Sequence, residues 1–162
     1  MPQKSRYTSS NYFGGLGIGL SLLALAIGGL IYLYLRPSVH VYSDWIRGIG
    51  LDDWYNSLRV SALSQSLQTP DWFVFALPNG LWAFAYSLLI TRIWSGSRSF
   101  LKYFWFASMP GLVFGFELLQ FSGVIHGTFS LQDLAFGAAG IVFGRFVGIQ
   151  LNKLKYYEKS SE

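Results

Sequence analysis

The chain has 162 residues, which allows one domain, and 52% of them are hydrophobic while only 12% are charged. Average soluble domains carry roughly 25% charged residues, so this composition excludes an ordinary soluble protein and predicts an integral membrane protein. Cysteine is absent, which excludes disulfides, thiolate metal sites and a cysteine nucleophile. The formal net charge is +4, but the basic residues are scattered between apolar blocks, so we expect no nucleic-acid partner.

The first apolar block covers residues 14–35, 22 positions without a charge that end before Arg36. A helix needs about 20 apolar residues to cross the hydrocarbon core, whereas a signal peptide has an apolar core of roughly 7–15 residues. We therefore predict a retained first span after a polar tail, residues 1–13. Gly15 and Gly19 form a small-xxx-small face on it, which would let another helix approach closely.

The segment 36–71 is the one long polar stretch of the sequence. Asp52 or Asp53 can cap a helix, and apolar residues recur at helical spacing behind them. Trp54 suits the depth of the lipid headgroups. The pattern predicts an interfacial helix that lies on the membrane and ends at Pro70.

Three further apolar blocks predict three further spans. Pro78, followed by Asn79 and Gly80, should kink or break the second span, because proline removes a backbone donor and clashes with the preceding turn. Pro110 should kink the third span for the same reason. The predicted fold class is an all-α, integral membrane four-helix bundle, a single domain over residues 1–162 with the interfacial helix between spans one and two. The predicted spans are residues 14–35, 72–94, 100–121 and 131–151.

The distribution of lysine and arginine predicts the orientation. Nine of the twelve basic residues lie in the tail 1–13, the loop 92–102 and the end from Arg145 onward, whereas the segment 36–71 holds three beside four aspartates. The positive-inside rule then places both termini in the cytoplasm. It also places the segment 36–71 and the turn 122–130 on the outer face.

Polar residues from three spans are predicted to meet near that outer face. Glu117 lies about 17 residues into the third span, which is ~26 Å at ~1.5 Å per residue. Gln120 is on the same helical face, and Asp133 opens the fourth span at this level. Acidic groups beside hydrocarbon are costly, so they are candidates for a functional site. The candidate ligand-binding residues are Asn79, Trp82, Tyr86, Glu117, Gln120, His126 and Asp133.

The fourth span carries a stripe of small residues, Gly140, Gly144 and Gly148, at a spacing of four. Such a stripe favours close helix packing rather than chemistry. We expect this stripe to pack the fourth span closely against a neighbouring helix, and the third span is the neighbour we predict. That contact would hold Asp133 near Glu117.

Residues 72–150 resemble the VanZ-like membrane proteins of bacteria. The resemblance is carried by Glu117-x-x-Gln120, a short turn, an aspartate at the start of the last helix and glycines behind it. A weaker likeness lies in the second span, where Pro78-Asn79-Gly80-Leu81 stands for a Pro-Asp-Lys-x-x-His-Phe segment. The matching residues are Pro78, Phe84, Tyr86, Glu117, Gln120, Phe129, Asp133, Gly140 and Gly144.

Three polar positions of the family pattern are replaced in this chain. The arginine of the turn would fall at Gly127, the asparagine of the last helix at Gly137, and the histidine of the second span at Ala83 or Trp82. Members of the family are linked to glycopeptide-antibiotic tolerance at the cell envelope. The resemblance thus implies a fold and a location in the bacterial cytoplasmic membrane, and it supplies no reaction.

The leading functional hypothesis is an outer-face cleft that binds a membrane lipid or a lipid-linked glycan. One alternative is a structural subunit of a larger membrane complex, with the glycine faces as contacts to a partner protein or a second copy. Another is a hydrolase or transferase acting on a lipid-linked substrate. Glu117 could accordingly be an interhelical hydrogen-bond partner, a headgroup ligand or a general acid or base. The sequence contains no activated nucleophile and no metal-ligand motif, so we predict no catalytic residue, no metal and no cofactor.

Overall fold

The computed structural model describes residues 6–36, 46–66, 69–125 and 128–160, and these residues contain helices and no strand. The predicted all-α fold class is confirmed. The helices are α1 (Arg6–Leu35), α2 (Asp52–Ser66), a π-helical turn (Trp72–Ala76), α3 (Leu77–Trp94), α4 (Leu101–Phe121) and α5 (Leu131–Ser160).

Four helical segments are long and apolar enough to cross a membrane, and they coincide closely with the predicted blocks. α1 begins eight residues before its predicted span, at Arg6 rather than at residue 14. A helix adds one hydrogen bond for each residue it gains, so it extends readily into a polar flank once it has formed. The four membrane-spanning segments are Gly15–Leu35, Trp72–Trp94, Leu101–Phe121 and Leu131–Leu154.

The second span is the centre of the bundle. Half of its apolar window is buried, against 11% for the third span. α3 packs against α5 along most of its length and against α1 on another side, whereas α4 contacts α3 and α5 over a smaller area. Ala76, Ala85 and Leu88 have no exposed surface, and small side chains at this centre allow the neighbouring backbones to approach.

The glycine stripe of α5 lies on the second span, which corrects the expectation that it would face the third. A Cβ atom at Gly140 would overlap the Gly80 carbonyl oxygen, and one at Gly144 would overlap that of Phe84. One at Gly148 would lie 2.8 Å from the Thr91 methyl carbon. The second span receives the stripe because its facing positions carry small residues or backbone alone.

Polar contacts also cross the same helix pair. The buried Ser87 hydroxyl donates to the Ile141 carbonyl oxygen at 2.8 Å. Near the other end, Arg92 donates to the Asn152 side-chain oxygen at 2.6 Å. Hydrogen bonds between helices in an apolar environment add a modest stabilisation to the packing.

Pro78 does not break the second span. The chain remains helical from the π-helical turn Trp72–Ala76 into α3, and Pro78 lies in the first turn of α3. Proline is tolerated in a first turn, because its missing N–H would have no α-helical partner there. The wider turn before it continues the helix, and such π-bulges are frequent near functional sites. α4 likewise runs through Pro110 without interruption.

The predicted helix of the polar segment is α2, and it is held against the end of α1. Tyr55 is only 3% exposed, and its hydroxyl donates to the Leu33 carbonyl oxygen at 3.0 Å. Arg59 donates to the carbonyl oxygen of Arg36 at 2.9 Å. Trp54 and Leu58 remain exposed on an adjoining face. The helix therefore presents one side to the bundle and a second, apolar side outward.

Candidate functional site

A cavity of about 530 Å³ lies between α1, α3, α4 and α5. One end is polar, and the walls beyond it are apolar. From Arg36 to Leu25 the α1 wall extends over 11 residues, or about 16 Å at the rise of an α-helix. The lining residues are Leu25, Arg36, Asn79, Trp82, Ala83, Tyr86, Met109, Leu112, Val113, Phe116, Glu117, Gln120, Asp133, Gly137 and Ile141.

Six of the seven candidate ligand-binding residues line this one cavity. The second span contributes three of them, the third span two and the fourth span one. His126 lies outside the described residues. The six are Asn79, Trp82, Tyr86, Glu117, Gln120 and Asp133.

Glu117 joins the third span to the start of the fourth. It is 7% exposed, and its Oε2 atom accepts the backbone N–H of Ser130 at 2.9 Å. The Ser130 hydroxyl in turn accepts the N–H of Asp133 at 3.3 Å, as an N-cap residue does. A carboxylate at a helix N-terminus is also favoured by the helix dipole. Glu117 therefore makes an interhelical hydrogen bond and lines the cavity as well.

Asp133 and Gln120 each carry a hydrogen-bond acceptor atom that receives no hydrogen bond from the described residues. Oδ1 of Asp133 and Oε1 of Gln120 are buried and have no hydrogen-bond partner among the described residues. The Asn79 side chain is within hydrogen-bonding reach of the Asp133 carboxyl group, and both Glu117 and Arg36 lie within its electrostatic range. Buried acceptors without partners are uncommon and costly, so they indicate a place where a donor can bind.

Arg36 also lines the cavity, although the sequence analysis does not name it as a candidate. It follows the last residue of α1 and lies at the polar end of the cavity. Its guanidinium lies 4.8 Å from the ring centre of Tyr32 and 5.3 Å from that of Phe75. The sequence does contain a signal for Arg36. The end of the first span and the end of the third span lie at the same membrane depth, so Arg36 is expected at the level of Glu117.

Tyr86 and Trp82 form part of the cavity wall on the second span. The Ser108 hydroxyl donates to the Trp105 carbonyl oxygen at 2.6 Å, so it accepts the hydroxyl of Tyr86 at 2.7 Å. Tyr86 thereby ties α3 to α4. The Trp82 ring packs at 5.5 Å between centres against Tyr32 of α1.

The exposure of its lining residues indicates that the cavity opens at the side of the bundle, between α1 and α4. These two helices scarcely contact each other. Leu25 on α1 and Leu112 and Phe116 on α4 line the cavity, and they are also 40%, 49% and 57% exposed. Because both helices are membrane spans by length and composition, this side of the bundle is the one that would face hydrocarbon.

The lining residues offer recognition chemistry rather than an evident reaction. Their side chains include two carboxyls, two amides and one guanidinium, and the described part of the lining holds no serine, threonine, lysine or histidine. No group of three or more potential metal ligands occurs among the described residues. The arrangement can bind a ligand that has both polar donors and an apolar portion.

The glycines of the two predicted faces are placed differently. Those of α5 are buried against the second span, as described above. Gly15 and Gly19 are exposed, and a Cβ atom on either would have no neighbour within 4 Å. The glycine of α1 that packs against the second span is Gly28. A Cβ atom on Gly28 would lie 2.7 Å from the Trp82 ring nitrogen.

Comparison with family models, with curated proteins and with solved structures finds no match for this chain. The resemblance to the VanZ-like proteins therefore stays a prediction from the residues quoted above. The geometry of the cavity is the basis for a functional proposal.

Proposed function

We propose that this protein binds a lipid, or a lipid-linked glycan, from the outer leaflet of the bacterial cytoplasmic membrane. The observation that carries the proposal is one cavity with a polar end and an apolar opening on the side of the bundle. The headgroup lies at the polar end among Asn79, Glu117, Gln120 and Asp133. An acyl or isoprenoid chain passes between Leu25 and Leu112 into the bilayer.

The lateral opening supports a lipid over a soluble ligand. A water-soluble molecule gains nothing from an entrance lined by Leu25, Leu112 and Phe116, because it would have to cross hydrocarbon to reach it. A lipid already lies in that phase and enters without leaving it. The cavity volume of about 530 Å³ falls within the range of ordinary ligand sites, roughly 300–1,000 Å³.

The VanZ-like resemblance adds support of a different kind. Glu117, Gln120 and Asp133 carry the motif, and all three line the cavity. The family's asparagine and histidine positions fall at Gly137 and at Ala83 or Trp82, which line it too. Arg36 brings a guanidinium from the first span, where the family pattern has its arginine in the turn. In the proposed orientation both termini are cytoplasmic, in accord with the distribution of basic residues.

The proposal can be tested by native mass spectrometry of gently solubilised protein. The Glu117→Gln/Asp133→Asn pair removes both charges and keeps side-chain shape, including an acceptor oxygen for Ser130. We expect a lipid to be retained by the wild type and lost from this variant. The matched control is Asp52→Asn/Asp53→Asn, which changes two carboxylates on α2, outside the cavity, and should leave retention unchanged. Equal retention by all three proteins would refute the cavity as the binding site.

A second candidate function, a structural subunit of a membrane complex, is favoured by one observation. Gly15 and Gly19 are exposed on one helical face, and a Cβ atom on either would meet no described residue within 4 Å. Gly19→Leu should then abolish co-purification of a partner at fixed stoichiometry, while the Glu117→Gln/Asp133→Asn pair leaves it intact. If no partner co-purifies with the wild type, this candidate is wrong.

A further inference from the structure

We propose that the headgroup bound at the polar end of the cavity is a zwitterion with a primary ammonium and a phosphate, as in phosphatidylethanolamine. This inference rests on the proposed function, since it names the chemistry of the lipid bound at the same site. It follows from the charges at the cavity, from its unpartnered acceptor atoms and from the position of Arg36.

The charges at the polar end favour a ligand that carries a cation. Among the described lining residues Glu117 and Asp133 are acidic, and Arg36 is the one basic residue. Both acidic groups lie close enough to interact electrostatically, and like charges held near each other are unfavourable unless a cation offsets them. A headgroup that is purely anionic would add a further negative charge. The ammonium of a zwitterion instead places a positive charge beside the two carboxyl groups, and its phosphate can pair with Arg36.

The acceptor atoms favour an ammonium group that carries N–H donors. Oδ1 of Asp133 and Oε1 of Gln120 are buried and have no hydrogen-bond partner in the described part of the chain. A primary ammonium has three donors in a compact tetrahedral group, so it can satisfy both atoms at once. The quaternary ammonium of a choline headgroup has the same charge and no donor. It would leave both acceptors unsatisfied, which carries the usual penalty of a buried unpaired polar atom.

The position of Arg36 favours a phosphate beside the ammonium. Its guanidinium stacks on Tyr32 and Phe75, and it lies within electrostatic range of the Asp133 carboxyl group. The planar guanidinium matches a phosphate in a two-point contact. Arg36 follows α1, whereas Glu117 and Asp133 are on α4 and α5. The positive side chain and the two negative side chains therefore lie on different sides of the cavity. A headgroup with separate positive and negative groups can contact both sides at once.

A competition between lipids with identical acyl chains tests this inference. Delipidated protein is offered equal amounts of phosphatidylethanolamine, phosphatidylcholine and phosphatidylglycerol, and bound lipid is counted by native mass spectrometry. For charge-assisted hydrogen bonds to buried acceptors we expect phosphatidylethanolamine to be preferred over each competitor by about tenfold. Asp133→Asn should reduce its preference over phosphatidylcholine to about threefold or less. Asp53→Asn, on α2, is the control and should leave the preference unchanged.

Arg36→Gln should weaken phosphatidylethanolamine and phosphatidylcholine alike, because both carry the phosphate, and leave the ratio between them intact. The wild-type competition decides the proposal even if this variant does not fold. A preference for phosphatidylglycerol, or equal binding of the ethanolamine and choline lipids, would overturn the headgroup assignment and leave lipid binding itself standing. Retention of none of the three lipids would overturn the headgroup assignment. Loss of the endogenous lipid from wild type and control alike in the preceding experiment would instead overturn the proposed function.

Discussion

Replacing Gly140 by alanine should destabilise the contact between the second and fourth spans. The added Cβ atom would overlap the carbonyl oxygen of Gly80, and it would lie 2.9 Å from the Phe84 nitrogen and 3.1 Å from the Ala83 Cβ. Carbon atoms pack best at about 3.5–4.0 Å. Two of these three neighbours are backbone atoms, which cannot move aside as a side-chain end can, so the helices must separate.

The size of the effect follows from two opposing terms. Overpacking a well-packed core costs about 1–3 kcal/mol. Alanine is a better helix former than glycine by up to about 1 kcal/mol, which offsets part of that cost. We therefore expect Gly140→Ala to lower the free energy of unfolding by about 1–2 kcal/mol. Reversible unfolding in mixed micelles with increasing sodium dodecyl sulfate, followed by tryptophan fluorescence and circular dichroism, measures this difference.

The matched control is Gly115→Ala on the third span. A Cβ atom there would have no neighbour within 4 Å, so only the gain in helix propensity remains, and the variant should be as stable as the wild type or slightly more so. The packing argument would be refuted by a Gly140→Ala variant as stable as the wild type. It would also be refuted by a loss at Gly115 that equals the loss at Gly140.

Two further predictions concern α2 and the lateral opening. Tyr55→Phe removes the hydroxyl that donates to Leu33 at 3.0 Å; we expect α2 to lose about 1 kcal/mol of local stability, seen as faster amide hydrogen exchange in residues 52–66. Unchanged exchange there would show that this bond does not hold the helix. Leu112→Trp should narrow the opening and reduce lipid retention without changing the unfolding free energy. Leu118→Trp, exposed on the same helix away from the cavity, should leave retention as it is, and equal effects of both substitutions would contradict a specific opening.

The spans and the approximate depth of the polar residues could be predicted from the sequence. The cost of leaving backbone groups unpaired in hydrocarbon restricts a chain of this composition to helices, and the length of an apolar block then gives the span. A constant rise per residue places Glu117, Gln120 and Asp133 at one level. That is why six of the candidate residues were found in one cavity without knowledge of their neighbours.

The effect of Pro78 could not be predicted, because proline has two possible outcomes. In a helix interior it breaks the hydrogen-bond ladder, whereas in a first turn it is tolerated. The π-helical turn Trp72–Ala76 places Pro78 in a first turn. Such a turn depends on what packs around it, and Trp72 stacks on Phe136 of the fourth span at 5.7 Å between ring centres.

The sequence by itself determined an all-α membrane bundle, its four spans and a polar level near one end of them, since hydrophobic length and helical rise are local properties of the chain. Only the tertiary structure decided which helices touch. The small residues of α5 face the second span instead of the third, so α4 remains at the edge and a gap opens between α1 and α4. Arg36 reaches the site because α1, which it follows, packs against the second span beside this gap. Helical periodicity gives depth along the membrane normal, but the choice of neighbour depends on how side chains of many residues fit together, which no single helix contains.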